Sequence, residues 1–193
     1  MPISSIMRVA VFMLLAVLIG TPSSAQAEMG NPYNGRSEAV LGFAYLTGRG
    51  VPLDYQKALR WIRLSAEKGH PLGQFYLGLI HMNGLGIPPD RTKAAALIRD
   101  AAENHLPKAQ TLLGLLFSDG FFGGSPDFKQ AFFWLHKAAQ GGDPYAQFNV
   151  GIFYEKGLGG AKQSSKIAMQ WYQQAAANGS VQAQARLRDV NTR

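Results

Sequence analysis

The sequence predicts an all-α fold, an α-solenoid of four antiparallel helix pairs followed by a C-terminal capping helix. A short motif centred on glycine recurs four times, with spacings of 36, 36 and 37 residues. A second glycine follows each of these six residues later, and the flanking apolar residues recur with the period of a helix. The four reference glycines are Gly42, Gly78, Gly114 and Gly151.

Each repeat begins with a predicted first helix. In GQFYLGLIHMNG, apolar residues fall at i, i+3, i+4 and i+7, which is the pattern of a helix with one buried face. The second glycine of the repeat is predicted to end this helix, because glycine tolerates the left-handed conformation that a helix end requires. These glycines are Gly48, Gly84, Gly120 and Gly157.

A second helix is predicted to follow in every repeat. Its first cue is a residue whose side chain can cap the free amides of a helix start: Asp54, Asp90, Asp127 and Ser164. Four residues later stands an alanine, and three further on a bulky residue: Trp61, Leu97, Trp134 and Trp171. The small residues allow the two helices to approach closely, and the bulky residue fills the space beside them.

One helix pair cannot bury its apolar face alone, whereas stacked pairs can. The predicted repeats span about 35–70, 71–106, 107–143 and 144–179, and a capping helix spans 180–193. In that last helix Arg188 takes the place of the reference glycine, so we expect no further helix to pack there.

The N-terminal residues 1–27 are predicted to be a signal peptide. Arg8 precedes an apolar run from Val9 to Gly20, and the segment ends in Ala25-Gln26-Ala27, a pattern that signal peptidase cleaves after Ala27. The run is shorter than the ~20 residues that span a bilayer, although an uncleaved anchor is the alternative. We therefore expect a periplasmic or secreted protein with a short linker at 28–34 and no transmembrane span after cleavage.

Composition narrows the classes of function. The chain has no cysteine, which excludes disulfides, thiolate nucleophiles and cysteine metal ligands. Its formal net charge is +7, but the charges are interspersed, so we expect no nucleic-acid partner. A mildly basic surface suits acidic glycans or anionic lipid headgroups; the alternative is an ordinary solvated surface.

The repeated pattern resembles the SEL-1-like repeat family, a relative of the tetratricopeptide repeat. The unit GHPLGQFYLGLIHMNGLGIPPDRTKAAALIRDAAENH carries most of the family pattern, and the third and fourth loops, SDGFFGGSPD and GLGGAKQSS, depart from it. The resemblance implies a right-handed superhelix and a role as a non-enzymatic protein-interaction scaffold or adaptor. It also implies an envelope-related process, whether assembly, signalling, motility or host interaction, and the sequence does not select among these.

If the geometry follows the tetratricopeptide pattern, three positions of each first helix line a concave groove for a protein or peptide. They are Ala39, Phe43, Leu46, Phe75, Leu79, Met82, Thr111, Leu115, Ser118, Phe148, Ile152 and Glu155. Tyr145, with Arg36 and Lys108, is predicted to form a polar rim. The alternative is that close stacking buries several of these residues. Of the loop aromatics Phe121 and Phe122, we expect one to fasten the loop to the helices and the other to be an exposed partner contact.

Signals for an enzyme, a cofactor or a metal are weak. Ser65 and Lys68 match the Ser-x-x-Lys of penicillin-recognising enzymes, but no companion motif is present. The four histidines show no ligand spacing, and His81 stands where other repeats have an aromatic residue. We predict no catalytic, cofactor or metal site. A module that binds peptidoglycan or an acidic polysaccharide through its outer helices is the main alternative function, and a penicillin-recognising hydrolase is the lesser one. No oligomeric state follows from the sequence.

Overall fold

A computed structural model describes residues 34–191, without the side chains of residues 190 and 191. The predicted signal peptide and nearly all of the linker lie outside the described residues. Within them the chain forms nine α-helices and no strand. The helices are α1 (Arg36–Thr47), α2 (Tyr55–Glu67), α3 (Pro71–Asn83), α4 (Arg91–Glu103), α5 (Pro107–Ser118), α6 (Phe128–Gln140), α7 (Pro144–Lys156), α8 (Ser165–Ala177) and α9 (Val181–Asn191).

The helices pair in chain order and the pairs stack. The closest contacts join α1 with α2, α3 with α4, α5 with α6 and α7 with α8, and weaker contacts join each pair to the next. Helix α9 packs on α8, and the first helices α1 and α3 also touch each other directly. The predicted all-α solenoid of four pairs with a C-terminal helix is confirmed.

Each pair is held by a close approach at its reference glycine. A Cβ atom on Gly78 would lie 2.8 Å from Cγ1 of Ile98 and 3.3 Å from the carbonyl oxygen of Ala94. At Gly114 it would lie 2.7 Å from Cγ of Leu135. The second-helix residues at these contacts, Ala94, Ile98 and Leu135, are fully buried. The surrounding core therefore leaves the second helix no room to move away from the first.

The predicted helix starts are confirmed. Carboxylate oxygens of Asp54, Asp90 and Asp127 accept hydrogen bonds from backbone amides of the first turn, and the Ser164 hydroxyl does the same for α8. Gly48, Gly84 and Gly157 adopt the left-handed conformation at the ends of α1, α3 and α7. The third repeat differs, because α5 ends at Ser118 with Asp119 as its cap, and left-handed Gly120 follows.

The glycine loops also join neighbouring repeats. Gly86 lies so close to Tyr55 of the preceding repeat that a Cβ atom would come within 2.7 Å of its Cβ. The Gln56 side chain donates a hydrogen bond of 3.0 Å to the Gly86 carbonyl oxygen. In the longer third loop, the Arg91 guanidinium lies 4.3 Å from the ring centre of Phe121 and donates to its carbonyl oxygen.

A polar clasp closes three of the four helix pairs at the opposite end. The first helix contributes a residue four before the reference glycine, and the second contributes its C-terminal cap. Asn104 donates to Gln74 over 3.3 Å, and Asn178 donates to Gln147 over 2.9 Å. In the first pair an ion pair between Glu38 and Lys68 takes this place.

The close approach at Gly78 predicts the cost of adding a single methyl group. Gly78→Ala should lower the free energy of unfolding by about 1–3 kcal/mol. The reason is that α4, with the Ile98 side chain, must move away from α3 to make room for the methyl group. Urea unfolding measures this change. Gly123→Ala is the matched control: no atom lies within 4 Å of an added Cβ there and φ is not positive, so we expect almost no loss. Equal effects at the two sites would contradict the packing argument.

Candidate protein-binding groove

The first helices present a stripe of half-buried side chains. We call this the groove stripe; it comprises Phe43, Met82, Leu115, Ser118, Tyr145, Phe148 and Ile152. All seven were among the residues considered from the sequence for the groove or its rim. Because they are neither fully buried nor fully exposed, they can contact a partner without first leaving the core.

Other residues predicted for the groove are inaccessible. Phe75 is fully buried, and Ala39, Leu46, Leu79 and Thr111 are exposed by at most 5%. Ala39, Phe75 and Thr111 lie three residues before their reference glycines, and Ala39 and Phe75 belong to the core cluster at the contact between α1 and α3. The structure therefore removes these five from the groove, as the burial alternative anticipated.

The first half of the groove stripe is apolar. The Phe43 ring stacks on the buried ring of Tyr76, with ring centres 4.9 Å apart and planes inclined by 21°. Met82 packs against the same core cluster. This contact across repeats fixes the Phe43 ring, so that part of the surface is already ordered before a partner binds.

The second half of the groove stripe meets a recessed polar region. The Lys108 side chain is exposed, yet the surrounding protein desolvates its ammonium group and lowers its pKa. The Asp119 carboxyl is also exposed, and desolvation raises its pKa. Both groups are therefore accessible to a partner, while the surrounding protein limits their hydration.

The charges of two carboxylates act on Tyr145 in this region. Desolvation is the main reason that the pKa of its hydroxyl is raised, and the charges of Asp119 and Asp143 raise it further. Asp143 caps α7 through the Ala146 amide at 2.8 Å. Burial raises the Asp143 pKa, and its capping bond and the charge of Lys108 oppose that rise.

Glu155, also predicted for the groove, is fixed by neighbouring helices. Its carboxylate accepts a hydrogen bond of 2.5 Å from the Tyr172 hydroxyl on α8 and pairs with Arg186 on α9. The Tyr172 hydrogen bond is the main reason that the Glu155 pKa is lowered, and Arg186 lowers it further. Glu155 therefore joins the capping helix to the last pair, and its charge is compensated within the chain.

The two loop aromatics divide as expected. Phe121 packs against the core under the Arg91 guanidinium, so it fastens the loop. Phe122 is 36% exposed and its ring centre lies 4.5 Å from that of Phe117. The exposed ring remains a predicted partner contact.

The serine motif has no room for a reaction. Ser65 is fully buried, and its hydroxyl donates to the Gly35 carbonyl oxygen at 2.5 Å. Lys68, the motif's other residue, pairs with Glu38. The structure therefore contradicts the penicillin-recognising alternative at Ser65. In the described part of the chain, no three His, Asp or Glu side chains are grouped so that they could hold a metal ion.

Sequence reasoning did not single out Asp119, Asp143 or Arg186 as groove-side groups. A comparison between repeats contains one signal for Asp119. Thr47, Asn83 and Lys156 take its place at the ends of the other first helices, where an acid is disfavoured by the negative end of the helix dipole. The pairing of Arg186 with Glu155 joins residues 31 positions apart and leaves no local signal.

The comparison with protein families follows this geometry. The Sel1 repeat model matches residues 23–70, 71–105, 107–143 and 144–180. The chain belongs to the Sel1 repeat family. Proteins built from Sel1 repeats are generally non-catalytic scaffolds that bind protein partners.

Solved structures agree with this assignment. A Sel1 repeat protein from Oxalobacter formigenes is 33% identical with a TM-score of 0.73, over 82% of this chain and 65% of that one. The protective antigen c5321 of uropathogenic Escherichia coli, which displays an SLR fold, is 33% identical with a TM-score of 0.70. That match covers 80% of this chain and 33% of the antigen, so this chain spans less than two thirds of either relative.

A more distant structure shows the fold alone. The immunity protein Pa5087 from Pseudomonas aeruginosa is 20% identical with a TM-score of 0.56, over 95% of this chain and 70% of that one. The comparison with curated proteins gives no match. Among the helices described, none is long and apolar enough to cross a membrane.

His81 behaves as the aromatic substitute that its repeat position predicts. It is 6% exposed, and neither ring nitrogen has a hydrogen-bond partner among the described residues. Desolvation is the main reason that its pKa lies below the ordinary 6.5. Below that pH the unfolded chain therefore binds more protons than the folded chain, so stability falls on acidification.

His81→Phe should raise the free energy of unfolding by about 1–3 kcal/mol, because it removes two unsatisfied buried nitrogens. The gain should widen between about pH 7.5 and about pH 5.5, since the phenylalanine cannot take up a proton. Urea unfolding at both pH values measures it. His105→Asn, at an exposed residue with φ of 60° that asparagine also adopts, is the control and should not reproduce the gain in the free energy of unfolding. A gain that stays constant with pH would contradict this account.

Proposed function

We propose that the protein is a non-catalytic scaffold of the bacterial cell envelope that binds a partner protein or peptide in its groove. The observation that carries this proposal is the groove stripe, a row of mostly apolar, half-buried side chains on the first helices, with the charged side chains of Lys108 and Asp119 exposed beside it. Members such as Phe43, Met82 and Leu115 pack on the core with one side and are partly accessible on the other, so they can serve as ordered apolar anchors for a partner.

The chemistry of the groove stripe favours a partner segment with two kinds of side chain. Apolar side chains would contact Phe43, Met82 and Leu115, and a polar or charged group would meet Lys108 or Asp119. A helix or an extended segment can present such anchors at regular spacing. Because packed helices hold the groove residues in place, little ordering entropy is lost when the segment binds.

The envelope location rests on the N-terminal sequence. Arg8, the apolar run after it and the Ala25-Gln26-Ala27 sequence support export to the periplasm or beyond. N-terminal sequencing of the protein recovered from a cell fraction tests this step. A chain recovered from the cytoplasm with residues 1–27 intact would contradict export.

Site-specific cross-linking tests the groove directly. A photo-reactive phenylalanine analogue at Ile152 should give one discrete cross-linked partner in envelope extracts. The same analogue at Ala96, exposed on the outer face of α4, should not. Equal products from both positions, or none from Ile152, would contradict binding in the groove.

Met82→Glu should weaken binding of that partner at least about tenfold, because a carboxylate would be buried against an apolar anchor. Because Met82 also packs against the core cluster, thermal unfolding is measured for each variant and binding is compared at a temperature where the variant is folded. Calorimetric titration of the purified partner measures the affinity, and Ala96→Glu supplies the same charge on the outer face. If both variants bind as the wild type does, the groove is not the site.

A further inference from the structure

We propose that one edge of the solenoid docks on an anionic phospholipid membrane. This loop edge is where the first helices end and the second helices begin, and it carries the loops 48–54, 84–90, 119–127 and 157–164. It is separate from the groove stripe, so the proposal does not rest on the proposed function.

Exposed apolar side chains are concentrated at the loop edge. Leu53 is 56% exposed, Phe128 is 38% exposed, and Tyr55, Phe122 and Ile167 are each 36% exposed. Three further large hydrophobic residues of the described chain are exposed, namely Leu64, Phe133 and Val181, and they lie elsewhere. A row of such side chains along one edge is typical of an interaction surface.

Uncompensated cations accompany these apolar side chains. The ammonium groups of Lys93, Lys129, Lys162 and Lys166 have no hydrogen bond, ion pair or ring contact within the described residues. Lys93, Lys129 and Lys166 lie in the first turns of second helices, which contain no acidic residue. Cations are disfavoured there by the positive end of the helix dipole, so helix stability does not account for them.

Three of the acidic side chains at this edge cap helix starts. Carboxylate oxygens of Asp54, Asp90 and Asp127 accept hydrogen bonds from backbone amides at helix starts. Asp54 also pairs with Lys57, and for that reason Lys57 is left out of the set of free cations. These carboxylates keep their negative charge, and Asp119 adds a fourth, but the cations of the edge outnumber them: Arg49, Lys57, Arg91, Lys93, Lys129, Lys162 and Lys166. The loop edge is therefore net positive, which favours an anionic partner surface.

The mixture of apolar and cationic side chains favours a membrane over a soluble polyanion. Phe128 precedes Lys129, and Lys166 precedes Ile167, so each cation stands beside an exposed apolar group. Membrane surfaces reward both components, since apolar groups enter the headgroup boundary while lysines attract anionic lipids. An acidic polysaccharide would use the charges alone.

Vesicle co-sedimentation of the full chain tests this proposal. The vesicles contain phosphatidylglycerol as one quarter of the lipid in phosphatidylcholine, with pure phosphatidylcholine as the reference. All variants keep the same N-terminal apolar run, so differences between them report on the loop edge. Thermal unfolding verifies that each variant folds.

Lys129→Gln with Lys166→Gln should lower the partition constant about 25-fold, at about fivefold for each lysine. Leu53→Ser with Ile167→Ser should lower it about tenfold with the charge unchanged. The matched control, Arg60→Gln with Lys137→Gln, removes two charges from exposed sites on second helices beyond their first turns and should lower it less than threefold.

Three results would overturn the proposal. One is an equal loss in the two charge variants, which would indicate diffuse attraction by the whole protein. Another is full binding by the Leu53 and Ile167 variant together with displacement by alginate, which would assign the edge to acidic polysaccharide. The third is equal partition to both vesicle types in every variant.

Discussion

The close approach of two helices at the reference glycine constrains everything else in this fold. At Gly78 and Gly114 there is no space for even one methyl group, because the buried side chains of Ile98 and Leu135 lie against the first-helix backbone. Such a pair is thin and exposes an apolar flank on each side. The flanks are covered when the next pair stacks, and repetition of this step produces the solenoid.

The same closeness decides which side chains can meet a partner. Phe75 and Thr111, at the same repeat position as Phe148, are buried, whereas Phe148 in the last pair stays half-buried. The repeat register predicted the helices and their caps, because those depend on local sequence. It could not predict this burial, because burial depends on the distance to a neighbouring repeat and not on the residue's place in its own helix.

Buried polar residues fix the register of the stack through hydrogen bonds. Their hydrogen-bond partners, like the burial of Phe75, could not be predicted from the sequence. Gln147 is fully buried, donates to the Ala139 carbonyl oxygen of the preceding repeat and accepts from Asn178 of its own. An aliphatic side chain would fill the same volume but would lose both hydrogen bonds. At the end of the array, where no further repeat follows in the described chain, Arg186 and Glu155 supply the connection as an ion pair.

The glycine loops form a second surface, and its side chains are more exposed to solvent than those of the groove. The backbone at Gly86 lies against Tyr55 and forms the contact between repeats, while Pro88, Pro89 and Asp90 later in the same loop are exposed to solvent. In the groove, by contrast, accessible groups such as Lys108 are partly desolvated and positioned by helices. The residues of the groove stripe and the exposed apolar side chains of the loop edge are different, and the two surfaces meet at the third loop, where Asp119 and Phe122 lie. Under the two proposals, the scaffold would present a bound protein beside a membrane.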